Sequence, residues 1–419
     1  MKRPTVATTA LAAVLALGAG ACGSGGSGGA GEGGTTTLDV WLMKDSVSTA
    51  FQEEFTAGFE KRHPKIKLNL QIQEWDGIGE KVTAALAAND APDVIEVGNT
   101  QVAQYAASGG VKDLSDKAAD LGGSDWIPGL AEPGKIDGKQ YGIPYYAANR
   151  VVIYRTDLFK KAGIDKPPAT RAEWLAATAK LNKGKQQGIY LPGQNWYALA
   201  GFIWDEGGDL ATEAGKTWKG GLNTPEALAA MDFYKKLQSL GKGPKDSDEA
   251  KPPQVDIVAK GDVAQVISVP GGAKLIEEAN PKLKGKLGFF PVPGKTAGSP
   301  GAVFTGGSDL IVPEAAPHQD EAYQFIKALT GDTWQKKLAT TMSYVPNKKS
   351  LASVLSADPG AAAMAKGAAN GHATPNSPQW AAVEANNPIK EFQTQVLTGA
   401  DPKKAGAKAS AAITKALNG

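Results

Sequence analysis

Cysteine and histidine are nearly absent: Cys22 stands alone, and His63, His318 and His372 are scattered through 419 residues. One cysteine excludes a disulfide framework, and no Cys/His spacing matches a metal site. Any cysteine–histidine nucleophile would have to use Cys22, at the very start of the chain. A surplus of charge is missing too. The formal net charge is +2, and Lys2 and Arg3 are two of the 45 basic residues. A chain starting at Cys22 therefore has 43 basic and 43 acidic residues, since 45 less 2 equals 43. Nucleic acid demands a basic patch, and nothing here supplies one. The balance points to an uncharged partner. There is also no GxSxG elbow, no phosphate-binding P-loop and no GxGxxG after a strand.

What is present reads as an ordinary globular chain, 42% hydrophobic and 21% charged. Its 419 residues exceed what one core sustains, so two domains are expected. Lys2 and Arg3 precede an apolar run from Val6 to Ala21, too short to span a bilayer, which reads as a secretory signal over residues 1–21. Leu17-Gly18-Ala19-Gly20-Ala21-Cys22 resembles a bacterial lipobox, with Ala19 where leucine is usual. Residues 22–37 are Gly/Ser-rich at their start and form a flexible tether. The expectation is a lipoprotein anchored through Cys22 to the outer face of the cell membrane.

The body opens with βαβ alternation. Leu38–Leu42 is a short apolar strand, and Phe51, Phe55 and Phe59 recur at helical spacing. Ile66, Leu68, Leu70 and Ile72 alternate with polar residues as a strand does. A helix over about 77–88 then leads into a third strand at 93–97. In such sheets ligands gather beyond the carboxyl ends of the strands. Those ends present Asp45 with Ser46, Glu74 with Trp75, and Asn99-Thr100-Gln101. Further on, residues 137–164 combine a polar turn, the aromatic pair Tyr145-Tyr146, an apolar run from Val151 and a helix ending at Gly163. That pattern suggests a chain crossing between two α/β lobes, with Asn149 at the junction.

In order along the chain stand Trp41 and Asp45, Ala91-Pro92-Asp93-Val94, Asp137-Gly138-Lys139-Gln140-Tyr141-Gly142-Ile143-Pro144, residues 154–163 (YRTDLFKKAG), Gly261-Asp262-Val263-Ala264 and Tyr323-Gln324-Phe325-Ile326. This ordered set resembles the family 1 extracellular solute-binding proteins, the sugar-binding components of ATP-binding cassette importers, and is similar to maltose-binding protein. The tethered form resembles those of high-GC Gram-positive bacteria. The resemblance implies a two-lobed, type II periplasmic-binding-protein-like α/β fold. Each lobe would be a mainly parallel sheet flanked by helices, with three crossing segments between them. It places lobe one at residues 38–147 and 308–357, and lobe two at 148–307 and 358–419. It implies no cofactor and no metal, a monomer, and a membrane permease as protein partner. It also carries Gln194, Asn195, Trp196 and Tyr197, the turn at Gly271, Ser308 with Asp309, and Trp380 into the cleft between the lobes. At Gly271-Gly272 this chain has glycines where maltose-binding protein has an aromatic, so that stacking contact must come from elsewhere.

Sugars are polyols with apolar ring faces, so their sites combine flat aromatics with amides and carboxylates. The candidate residues offer that mixture. Residues 191–197 and 144–146 lean towards amino sugars of the chitobiose type, with maltose- and cellobiose-type sugars open. Two rival classes remain: a secreted carbohydrate hydrolase, and a binder of another solute such as a peptide or polyamine. Hydrolysis needs two carboxyls across the scissile bond. Glu206 and Asp209 offer such a pair, but in a glycine-rich loop where solvated charges are the expected reading. A charged ligand wants a countercharge cluster, and Arg150, Arg155 and Arg171 are dispersed.

Overall fold

The computed structural model describes residues 34–419 apart from 89, 90, 216, 376 and 378. The leader, Cys22 and the tether to residue 33 lie outside the described residues. Among the described residues no helix is long and apolar enough to cross a membrane.

Two sheets organise the body. The larger has seven strands, ordered Val345–Pro346, Ile143–Asn149, Val303–Ile311, Val94–Gly98, Thr36–Met43 and Ile66–Gln73, with Gly371–His372 paired to the start of Val303–Ile311. The smaller runs Gln265–Ser268, Val151–Arg155, Leu287–Pro291. The crossing expected within 137–164 takes the shortest route available. Strand Ile143–Asn149 belongs to the large sheet, Arg150 intervenes, and Val151–Arg155 belongs to the small one.

The expectation of mainly parallel sheets needs correcting. Thr36–Met43 pairs in parallel with both Ile66–Gln73 and Val94–Gly98. The remaining ladders of the large sheet's main path are antiparallel, as are both ladders of the small sheet. The reason lies in the connections. A parallel partner requires a long crossover, which the helices Thr49–Arg62 and Ile78–Leu86 supply in the first lobe. Strand Val303–Ile311, which returns from the second lobe, comes in antiparallel to both Val94–Gly98 and Ile143–Asn149.

Local sequence explains the flanking helices. Ser48 accepts from the Phe51 amide to cap Thr49–Arg62, and the buried Phe51, Phe55 and Phe59 face Trp334 and Phe325. Thr224 caps Pro225–Gln238, with proline at the first helical position, where a missing N–H costs nothing. The expected third crossing near Asp358-Pro359 is the entry to helix Pro359–Ala368, capped by Asp358 and packed on strand Leu287–Pro291. Glu206 and Asp209 are not solvated loop charges. Arg171 is buried, forms an ion pair with Asp205 at 2.6 Å and donates to Glu206 at 2.8 Å, and Asp209 accepts from the Trp204 indole at 3.0 Å. The end of one helix meets the start of another there, and the charges close that junction.

Asp309 is the outlier of the core. It is 1% exposed, sits at an irregularity in the ladder, and its Oδ2 has no hydrogen-bond partner. A Cβ at Gly142 would come within 2.8 Å of that oxygen, so only glycine fits opposite it. Burial pushes the Asp309 carboxyl up to about 8. Between the ordinary carboxylate range and that value, the folded protein holds a proton that the unfolded chain releases. Stability is therefore fullest in acid and falls as pH rises from about 4 to about 8. Asp309→Asn, neutral and nearly isosteric, is expected to flatten that slope and to be more stable than wild type at pH 8 by on the order of a few kcal/mol. Urea unfolding at pH 5 and pH 8 reads this directly, and parallel slopes would remove Asp309 as the cause.

Candidate functional site

A cleft of about 320 Å³ lies between the strand ends of the large sheet and the second lobe. Its floor rests on one buried carboxylate. Glu96, on strand Val94–Gly98, is fully buried and accepts from the Met43 amide at 2.9 Å, the Ser46 hydroxyl at 2.8 Å and the Tyr146 hydroxyl at 3.1 Å. Ser308 donates to the Tyr146 oxygen at 3.2 Å. Burial pushes the Glu96 carboxyl up from its ordinary value, and these donors pull it back. The Tyr146 ring stacks on Tyr344 with centroids 4.2 Å apart and planes 8° apart. The Tyr344 hydroxyl in turn donates to the Asp45 carbonyl at 3.1 Å. Loop, two strands and a tyrosine pair are thereby locked as one surface.

One wall comes from the first lobe: Asp45, Glu74, Trp75 and the turn Asn99-Thr100-Gln101. Trp75 is 41% exposed, an unusual state for so large an apolar ring, and its indole donates to the Lys44 carbonyl at 2.9 Å. Its edge is anchored and its face is left open. The opposite wall is a short aromatic stack. Trp196 lies on Tyr197 at 4.0 Å between centroids, Phe304 follows at 4.9 Å, and the Arg150 guanidinium sits 4.1 Å from the Tyr197 centroid. Gln194 lines this wall and donates to Thr394 at 2.9 Å. Glu384 completes it. Its carboxylate accepts from the Trp380 indole at 2.8 Å and, from the other wall, the Thr100 hydroxyl at 3.2 Å. Burial pushes Glu384 up to about 7, against the pull of those two donors.

Of the residues expected from sequence, Asp45, Glu74, Trp75, Asn99, Thr100, Gln101, Tyr146, Gln194, Trp196, Tyr197 and Ser308 line the cleft together. Six others lie behind it. Tyr145 and Asp309 point away from their cleft-facing neighbours, as alternation along a strand requires. Asn149 donates to the Met364 carbonyl at 3.1 Å. Asn195 caps helix Trp196–Asp205 by accepting from the Ala198 amide at 3.1 Å. Gly271 packs so tightly on Met342 that a Cβ would come within 2.6 Å of its carbonyl oxygen. Trp380 is 1% exposed and acts on the cleft through its bond to Glu384. The sequence reading missed Arg150, Phe304, Tyr344, Glu384 and Lys390. The aromatics had a faint signal: Phe304 precedes the glycine pair Gly306-Gly307 within strand Val303–Ile311, and Tyr344 follows Ser343 just after a helix. The charges had none beyond their presence on amphipathic stretches. Among the described residues no cluster of His, Cys, Asp or Glu could hold a metal ion.

Residues 44–336 match the family model described as bacterial extracellular solute-binding protein. The chain belongs to that family. It is 40% identical over 383 residues to the diacetylchitobiose binding protein DasA of Streptomyces coelicolor, covering 91% of this chain and 90% of that one. A mannitol-binding protein of Pseudomonas aeruginosa is 25% identical over 292 residues, 67% of this chain and 66% of that one. Among solved structures, the GacH receptor of Streptomyces glaucescens, described unliganded and with acarbose, superposes with a TM-score of 0.78 at 25% identity, covering 91% of this chain and 98% of that one. Maltose-bound MalE3 of T. maritima gives 0.79 at 20% identity, with 91% and 99% covered, and attests the fold. These solute-binding relatives are binders rather than enzymes.

The Glu96 network yields a prediction. Glu96→Ala would leave buried donors from Met43, Ser46 and Tyr146 without an acceptor, at an expected cost of about 2–5 kcal/mol of stability. Denaturant melts measure it; a loss below about 0.5 kcal/mol would show that the floor does not depend on this carboxylate.

Proposed function

We propose that this solute-binding protein is a lipid-anchored extracellular receptor for a short amino sugar of the diacetylchitobiose class. It takes the sugar between its lobes, closes on it, and presents it to the permease of an ATP-binding cassette importer. The observation that carries the ligand class is the 40% identity to a diacetylchitobiose binding protein across nearly the whole chain. The chemistry of the cleft agrees. Trp75 offers an open ring face to the apolar side of a pyranose, while Asn99, Gln101 and Gln194 supply amides for hydroxyl and acetamide groups. Each cleft cation already holds an acid: Lys44 with Glu74, Arg150 with Glu249, and Lys390 with Asp248. Among the described residues lining the cleft, no cation is left over for a phosphorylated or acidic sugar.

Closure follows from the arrangement. Contacts to both walls exist together only when the lobes are shut, so the ligand stabilises that state by what it gains there. The division into lobes at residues 147/148, 307/308 and 357/358, the monomeric state and the anchor at Cys22 are part of the same reading. The leader and Gly/Ser-rich tether support the anchor.

Two experiments test the proposal. Calorimetry with diacetylchitobiose is expected to show one site per chain, and Trp75→Ala to weaken it by roughly 1–3 kcal/mol, the range for a stacked, partly buried aromatic. Saturable binding of maltose or cellobiose with no response to diacetylchitobiose would overturn the ligand class. In the native host, Cys22→Ser is expected to shift the protein from the membrane fraction into the medium. Retention at the membrane would rule out the lipid anchor.

A further inference from the structure

The charge inventory of the cleft does not close at neutrality. Three cations and five acids line it, and the three pairs already described consume all the cations. Two carboxylates remain without a cationic partner among the described residues: Asp45 on one wall and Glu384 on the other.

Both are held in place. Asp45 adopts a left-handed backbone with φ of 63°, a strained conformation that asparagine and aspartate tolerate better than most residues. Its carbonyl accepts from Tyr344, and its side chain is exposed at the cleft wall with no hydrogen-bond partner among the described residues. The nearest cation, Lys44, is committed to Glu74 at 2.9 Å, and Asp256 adds a further negative charge nearby. Glu384 is fixed by Trp380 from its own helix and by Thr100 from across the cleft. Tyr105 and Tyr197 are the other titratable groups close to it, and neither is cationic. A neutral acetamido sugar needs only hydrogen-bond acceptors here. A carboxyl group placed where no protein cation balances it gains most from a ligand that brings its own cation, because the ammonium favours the ionised form that burial disfavours.

We propose that the cleft also takes partly or fully deacetylated forms of its sugar, disaccharides in which a protonated amine replaces the acetamide, with the ammonium set against Asp45 or Glu384. This rests on the sugar-binding reading above and extends the ligand class from neutral to cationic amino sugars.

The test is a paired titration at pH 6.5 of the wild-type chain with diacetylchitobiose and with the glucosamine disaccharide. Binding of the second within about tenfold of the first is expected. Its affinity, unlike that of the acetylated sugar, should fall as salt is raised from 50 to 300 mM, because its added contact is between charges. The amine-to-acetamide affinity ratio should drop roughly tenfold in Asp45→Asn or in Glu384→Gln, as loss of a charge-assisted contact requires. If the acetylated sugar binds and the amine sugar is more than a hundredfold weaker, the inference fails and the proposed function stands. Equal salt dependence for the two sugars also overturns it, even if a variant does not fold. If neither sugar binds, the proposed function falls and the inference falls with it.

Discussion

The cleft depends on a buried carboxylate that never meets the ligand side directly. Glu96 collects a backbone amide and a serine hydroxyl from one stretch of chain and a tyrosine hydroxyl from another. Removing a carboxylate from water costs several kcal/mol, and that cost is offset only when its lone pairs are filled. The constraint therefore runs outward. The loop at Met43–Ser46, the ring of Tyr146 and, through it, Ser308 must each sit where the carboxylate can reach them. Tyr146 then fixes Tyr344 by stacking, and Tyr344 pins the carbonyl of Asp45 in its left-handed conformation. A strained residue on the wall is held by a chain of contacts that begins in the core.

Alternation along the crossing strands decides which residues ligand can meet. Tyr145 and Tyr146 are chemically equivalent in sequence, yet one is fully buried with an unpartnered hydroxyl and the other faces the cleft. Ser308 and Asp309 divide in the same way. The first crossing was legible in the local pattern of residues 137–164, as were the polar sets at Asp45, Glu74-Trp75 and Asn99–Gln101, because strand ends and turns announce themselves; Ser308 and Asp309 came only through the family resemblance. Which member of a pair faces inward was not legible. It is set by register against partner strands far away in the chain, and the register shifts at Ser308/Asp309. A single residue of slip exchanges the two faces.

Asn195 and Trp380 failed to reach the cleft for a different reason. Asparagine before a helix is as good a cap as it is a sugar ligand, and Asn195 is a cap. Trp380 carries a large apolar ring on a short helix that packs into the second lobe, so burial claims it. Its indole N–H still has to be satisfied, and Glu384, one helical turn on, accepts from it. A residue picked out for stacking thus serves by orienting a carboxylate. Arg150 and Lys390 were invisible for the converse reason. Each looks like a solvated charge until the fold brings Glu249 and Asp248 against it.

Those ion pairs bear on how the protein can move. The walls meet directly through Thr100 with Glu384 and, at the rim, through Asp76 with Lys251. The rim pair is exposed, and contacts of that kind contribute little, and less in salt. A hydroxyl–carboxylate bond adds on the order of 1–3 kcal/mol at most, and closing the lobes restricts their relative motion. Direct contacts of this size can hold the lobes together for part of the time but cannot commit them. To move such a balance decisively, a ligand must favour the closed form by several kcal/mol. An open indole face on one wall and, among the described residues, two carboxyl groups without a cationic partner on opposite walls are the groups that face a ligand lying between them. In the proposed closure, a ligand touching both walls adds its own contacts to those the protein already makes across the cleft.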